Sequence, residues 1–208
     1  MSLAGFFIFG AALLSVLVEG TPTGDCTSDS PNGWLFLKKG KTYNMIRRTF
    51  QTPSFGDTKC LSCSINEKHD TNHTVQATIK FRNGGYEGRR ESINQEYEFP
   101  NYSQHDYNTM KTTDQSPPPS ASYEFGYTGS FCAVVYMNSI SPVRTNSQNA
   151  EERLIPSQES EKRDCVLWVE DGEDETKDQC CGRFFSTHCK ETVHVIYDKS
   201  RCKEKSSH

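Results

Sequence analysis

The chain has 208 residues, 24% of them charged and only 34% hydrophobic, with a formal net charge of −4 and a mean hydropathy of −0.73. That length suits one domain. The mild acidity supplies no clustered basic face for nucleic acid, and so polar a composition leaves a thin core that needs cross-links or a shell-like architecture.

The first segment sets the compartment. Phe6 to Val18 reads FFIFGAALLSVLV. It is too short to cross a bilayer as a helix, which takes about 20 apolar residues, and has the length of a secretory signal's apolar core. Val18 and Gly20 are small residues at the −3 and −1 positions of a cut after Gly20. Residues 1–20 are therefore expected to be a signal peptide and residues 21–208 a single secreted, extracellular domain. No other apolar run reaches membrane length, so no membrane partner is expected.

Strand-like runs follow from residue 42 to 137. Thr42–Phe50 is rich in β-formers. Val75, Ala77, Ile79 and Phe81 are apolar at strict period two, which predicts a half-buried strand, and Asn83-Gly84 is a hairpin signal. Ile93, Tyr97 and Phe99 share one face of the next run, and Tyr123, Phe125 and Tyr127 alternate again. Phe131–Met137 is the most apolar stretch after the signal, as in a strand buried on both faces. Lys111–Ser120 and Ser141–Lys162 read as loops. Beyond them come a short strand at Asp164–Val169, helical spacing over Thr176–Thr187 with Cys180, Phe184 and Thr187 on one stripe, and a last strand at Val193–Tyr197. Many short strands and one late helix suggest an eight-stranded antiparallel up-and-down barrel with a helix outside. A β-sandwich satisfies the same periodicity.

Nine cysteines, Cys26, Cys60, Cys63, Cys132, Cys165, Cys180, Cys181, Cys189 and Cys202, read as disulfides in an oxidising compartment. The sequons Asn72-His73-Thr74 and Asn101-Tyr102-Ser103 make Asn72 and Asn101 candidate glycosylation sites. Cys180-Cys181, His188-Cys189 and His194 lack the paired spacing of structural zinc, so no metal or other cofactor is expected. Cys60-Leu61-Ser62-Cys63 lacks the βαβ context of a redox motif. The acidic run Asp171, Glu173, Asp174 and Glu175 lacks the spacing of a calcium loop and reads as a solvated turn. With no nucleophile-elbow motif, nothing supports an enzyme.

Cys165-Val166-Leu167-Trp168-Val169, Cys180-Cys181 leading a helix with Phe184, Ile196-Tyr197-Asp198 and Cys202 together resemble the tick salivary lipocalins, the histamine-binding-protein family. Gly33-Trp34-Leu35-Phe36, the run Lys41–Phe50, Lys59-Cys60-Leu61 and Phe131-Cys132-Ala133-Val134 fit the same pattern. The resemblance implies a lipocalin barrel that sequesters a host mediator, with Cys60 paired to Cys202, Cys132 to Cys181, Cys26 to Cys180 and Cys165 to Cys189. Cys63 is left over. If Cys132 joins the outer helix, period two sends Ala133, Val135 and Met137 inward; the resemblance turns Val166 and Trp168 inward as well.

Amine-binding relatives carry an Asp and a Glu where this chain has Ala133 and Val166. A cation taken from water into a narrow barrel needs a carboxylate, so histamine or serotonin binding is not the leading expectation. A lining of Ala133, Val135, Met137, Val166 and Trp168 with Phe81, Tyr97, Phe99, Tyr123 and Phe125 suits an uncharged or lipid-like mediator of eicosanoid type. Arg47 or Arg48 is a candidate partner for an acidic headgroup. The same apolar side chains would equally serve as solid barrel packing. The alternative functions are amine binding, or a protein-binding lipocalin that engages a host plasma protein of complement or coagulation through the Pro117–Pro119 and Ser141–Lys162 loops. A monomer is expected.

Overall fold

The period-two run at Val75–Phe81 becomes the middle of a long hairpin whose two neighbours are equally regular. The computed structural model describes residues 26, 30–51, 57–104, 106–114, 116, 119–141, 153–154 and 162–203. Its strands are β1 (Thr42–Arg48), β2 (Thr58–His69), β3 (Thr74–Asn83), β4 (Arg89–Glu98), β5 (Thr109–Thr112), β6 (Ser120–Thr128), β7 (Cys132–Ser141), β8 (Arg153–Leu154), β9 (Cys165–Glu170) and β10 (His194–Val195). Strands β1 to β7 pair in sequence, β9 pairs with both β7 and β1, and the eight strands thereby close into an antiparallel barrel. The two-residue β8 and β10 add to β7 and β1 outside this circuit. Closure removes the free edges that an open sheet would expose. Among the described residues no helix is long and apolar enough to cross a membrane.

Helix α1 (Gly33–Phe36) stops one end of the barrel. Asn32 caps it by accepting from the Leu35 amide at 2.9 Å, which satisfies a donor the first turn leaves open. Trp34, Phe36 and Leu37 then bury against the barrel interior. The Tyr43 hydroxyl donates to the Phe36 carbonyl at 2.7 Å, so β1 holds the stopper in place.

Helix α2 (Gln179–His188) lies outside, and three disulfides fasten it: Cys26–Cys180, Cys132–Cys181 and Cys165–Cys189. The fourth, Cys60–Cys202, ties β2 to the short α3 (Lys199–Cys202). These are the pairs that the family resemblance implies, and Cys63 is free. The stripe on α2 lies one residue further along than the spacing suggested. Cys181 and Phe185 are buried, whereas Thr187 is exposed, because Cys181 and the capping Cys189 must face β7 and β9.

Two cores result. The barrel interior holds Tyr43, Met45, Ile65, Val75, Ile79, Phe81, Tyr97, Phe99, Phe125, Ala133, Val135 and Val166; a second layer between barrel and α2 holds Val134, Tyr136, Leu167, Val169 and Phe185. Cys132 to Met137 are all buried, as a strand shared by two cores requires.

Some expected boundaries move. Lys111 and Thr112 belong to β5 rather than to a loop, and Ser120 and Ser141 end strands. Pairing with β4 and β6 outweighs the polar local sequence there. Most of Ser141–Lys162, Pro117, Pro118 and residues 1–20 lie outside the described residues.

Gly33 illustrates how tightly the stopper fits: a Cβ there would stand 2.2 Å from the Phe125 ring. Gly33→Ala should cost about 1–3 kcal/mol through overpacking. Urea unfolding checks this, and an unchanged midpoint would show that α1 has room to shift.

Candidate ligand-binding site

The interior is divided. A cavity of about 50 Å³ lies toward the stoppered end, lined by Phe36, Tyr43, Cys63, Met110, Phe125 and Val135 among others. A second of about 80 Å³ lies toward the opposite end, lined by Met45, Arg48, Leu61, Phe81, Gln95 and Met137 among others. Ile79, Tyr97, Tyr123 and Trp168 border both and form the partition. Neither cavity approaches the roughly 300–1,000 Å³ of a pocket for a drug-sized ligand. The barrel is therefore mostly packed, with voids on either side of a wall of aromatic rings.

The residues expected to face the interior do so, in different roles. Trp168, Tyr97 and Tyr123 form the partition; Phe125 and Val135 line the smaller cavity, and Phe81 and Met137 the larger. Ala133, Val166 and Phe99 are packed in the core without lining either cavity. Ala133 and Val166, the positions at which the resemblance implies acidic residues in amine binders, are fully buried and apolar. Among the described residues no carboxylate lines either cavity.

Polar chemistry inside is sparse. The Tyr97 hydroxyl donates to Gln95 Oε1 at 2.5 Å, and Gln95 Nε2 donates to the Pro119 carbonyl at 2.9 Å. Burial pushes the phenols of Tyr97 and Tyr123 well above their ordinary range and that of Tyr43 up to about 12. It also lifts the Cys63 thiol to about 12.

The two arginines separate sharply. Register shifts between Met45 and Arg47 in the β1–β9 ladder. An extra residue of this kind reverses the alternation beyond it. Arg47 consequently points outward, with its guanidinium 2.6 Å from Glu175 and 5.3 Å above the Phe185 ring. Arg48 is 3% exposed, lines the larger cavity and lies 5.7 Å from the Phe50 ring; burial pulls its pKa down from the usual value. The sequence offered both arginines as candidates, and the bulge selects Arg48. Gln95, Leu61 and Cys63 are interior residues that sequence reasoning missed. Gln95 sits at period two between Ile93 and Tyr97, a signal obscured because the residue itself is polar.

A family model described as tick histamine binding protein matches residues 27–149. The chain belongs to that family, the ligand-binding lipocalins of tick saliva. The match ends before Cys165 and α2, so the C-terminal features rest on the fold itself. No curated protein matches the chain. Among solved structures it is similar to Japanin from Rhipicephalus appendiculatus bound to cholesterol, at a TM-score of 0.49 and 12% sequence identity, covering 79% of this chain and 97% of that one.

Cys63 reports on the interior. The thiol and the buried phenols stay neutral in the fold but ionise earlier when unfolded, near 8.5 and 10 respectively. Their contribution to stability is thus complete below those values and is lost as pH rises toward the folded ones. The urea midpoint should fall between about pH 8 and about pH 10, and less so for Cys63→Ala. At the lower pH the native thiol should resist an aromatic disulfide reagent until denaturant is added; rapid native reaction would mean that the smaller cavity opens to solvent.

Proposed function

We propose that this protein is a secreted salivary scavenger that takes up a hydrophobic host mediator carrying one acidic headgroup, an eicosanoid-like lipid, and releases it slowly. The observation that carries this reading is the composition of the interior. Aromatic and aliphatic side chains line both voids, the larger of which also holds Gln95 and the buried guanidinium of Arg48, itself engaged within the fold, and no carboxylate is among the described cavity-lining residues. A buried guanidinium is favourable for a carboxylate, which it meets bidentately, and unfavourable for an amine cation, which would leave two like charges in a poorly solvated space. Sequestration needs no turnover and therefore no catalytic group.

The small cavities imply that a lipid enters by displacing the partition. Turning Tyr97, Tyr123 or Trp168 to another rotamer and opening the wall lowers apparent affinity by the fraction of barrels that are open. Burial of the lipid's apolar surface, about 25 cal/mol per Å² before ordering costs, opposes that penalty. The same small volumes favour a second reading, in which the barrel is a filled scaffold and its loops bind a host plasma protein of complement or coagulation.

Calorimetry and Trp fluorescence against leukotrienes, fatty acids, a fatty-acid methyl ester and histamine separate these readings. The free acid should bind. Arg48→Leu should weaken it ~10–100-fold while leaving the ester unchanged. Tight histamine binding without lipid binding would overturn the assignment, and a plasma protein retained by a barrel that binds no lipid would establish the second reading.

We further propose that Asn72 carries a glycan. Asn72 is exposed in the β2–β3 turn, and its Oδ1 accepts from the Thr74 hydroxyl at 3.1 Å. Secretion from insect cells should give a band that shortens on glycosidase treatment, and Asn72→Gln should remove that shift; any residual shift would belong to Asn101.

A further inference from the structure

Outside the barrel, strands β1 to β4 form the floor of a polar groove of about 410 Å³. Its cross-strand register is regular. Asn44, Ser62, Lys80 and Ser92 are successive partners in one row. In the adjacent row Lys59 is opposite Arg82, and Arg82 is opposite Arg90. All point away from the interior, because the intervening Cys63, Ile79, Phe81 and Ile93 face the interior core. The C-terminal segment supplies one wall through Tyr197 and Cys202, and Asp171 closes the end, held by Asn44 Nδ2 at 2.9 Å.

Three basic residues directly opposite one another across three strands are about 5 Å apart, and such like-charge pairs oppose folding. Lys59 Nζ donates to the Val195 carbonyl and Arg82 to the Tyr86 carbonyl, each at 2.6 Å, and Arg90 is likewise engaged within the fold. Lys80 is exposed beside them. This concentration of cations stands against a net charge of −4 for the chain. The groove floor of small hydroxyls and amides contrasts with the aromatic and apolar centre of a protein interface. A lipid headgroup layer is met by protruding cations, whereas Lys80, Arg82 and Arg90 line a concavity, which Glu91 and Asp171 also border.

We infer that this groove binds a sulfated glycan. Sulfates would meet Arg82, Arg90 and Lys80, for which Arg geometry suits planar or forked anions; sugar hydroxyls would meet Thr42, Asn44, Ser62 and Ser92, and the half-buried Tyr197 ring would offer one apolar face. Such a site would hold the secreted protein near the host matrix without occupying the barrel interior.

The test uses the full mature chain and a heparin-derived hexasaccharide, titrated at roughly 50 and 200 mM NaCl. Wild type should bind, a desulfated hexasaccharide should not, and Lys80→Ser with Arg90→Ser should together weaken binding at least ~tenfold. The dependence of log Kd on log salt should flatten by about one per cation removed. Lys111→Ser, on β5 and paired to Glu98, should leave binding intact. Thermal melts verify folding, and Lys80→Gln replaces any variant that fails to fold. Absence of wild-type binding at the lower salt would overturn the inference. So would unchanged binding in the double variant, or Lys80-dependent binding to phosphatidylserine vesicles in preference to the hexasaccharide.

Discussion

The two ladders of β9 decide what this protein presents inside and outside. By pairing with both β7 and β1, β9 turns a seven-strand meander into a closed wall. Its register assigns Val166 and Trp168 to the interior and Cys165, Leu167 and Val169 to the helix-facing layer. A slip of one residue would exchange the two sets. The disulfides Cys132–Cys181 and Cys165–Cys189 oppose that slip, since each requires its strand cysteine to face α2. They act as register pins in addition to the ~2–4 kcal/mol each contributes by restricting the unfolded chain.

A barrel with two cores also explains how so polar a chain folds. The inner core is filled by rings and branched side chains, and the outer one is a thin layer under α2 that cross-links complete. Even the charged groups near it are engaged: Arg163 meets Glu124 through both terminal nitrogens, at 3.2 and 2.8 Å, and stacks on Tyr136. The interior is closely packed except beside its partition, where Ile79, Tyr97, Tyr123 and Trp168 border both voids while Phe99 and Val166 border neither.

Much of this was legible from residue patterns. Period two at Val75–Phe81 and the unbroken apolar run before Met137 each identified a strand and its buried faces, because alternation and two-sided burial leave distinct traces. Strand β5 was not legible: four residues, Thr109–Thr112, carry too little pattern, and their pairing depends on partners remote in sequence. The helix stripe was displaced by one residue because adjacent cysteines at 180 and 181 satisfy the spacing equally, and only the strand partners distinguish them. The division of the interior was also hidden, since lining a void and filling it require the same residue types. The outer cation row was invisible for a similar reason. Lys59, Arg82 and Arg90 are well separated along the chain, and only the β2–β3–β4 register assembles them.

The placement of charge depends finally on two irregularities that meet at one residue. The extra residue near Ile46 turns Arg48 inward. The register shift between Lys59 and Ser62, where Cys60 adopts a φ of 53°, turns Lys59 outward into line with Arg82. The Ile196 amide donates to the Ile46 carbonyl at 3.0 Å, and the Ile196 carbonyl accepts from the Cys60 amide at 2.7 Å. The Ile196 side chain is 1% exposed in the interior core. Thus the C-terminal segment, anchored by Cys60–Cys202, fills the seam between β1 and β2 and satisfies backbone groups that both bulges withdraw from the ladder, as buried amides and carbonyls require. A barrel of perfect alternation would place Arg47 inside and Lys59 beside it; the stitched seam leaves one guanidinium in the cavity and gathers the other cations on the outer face.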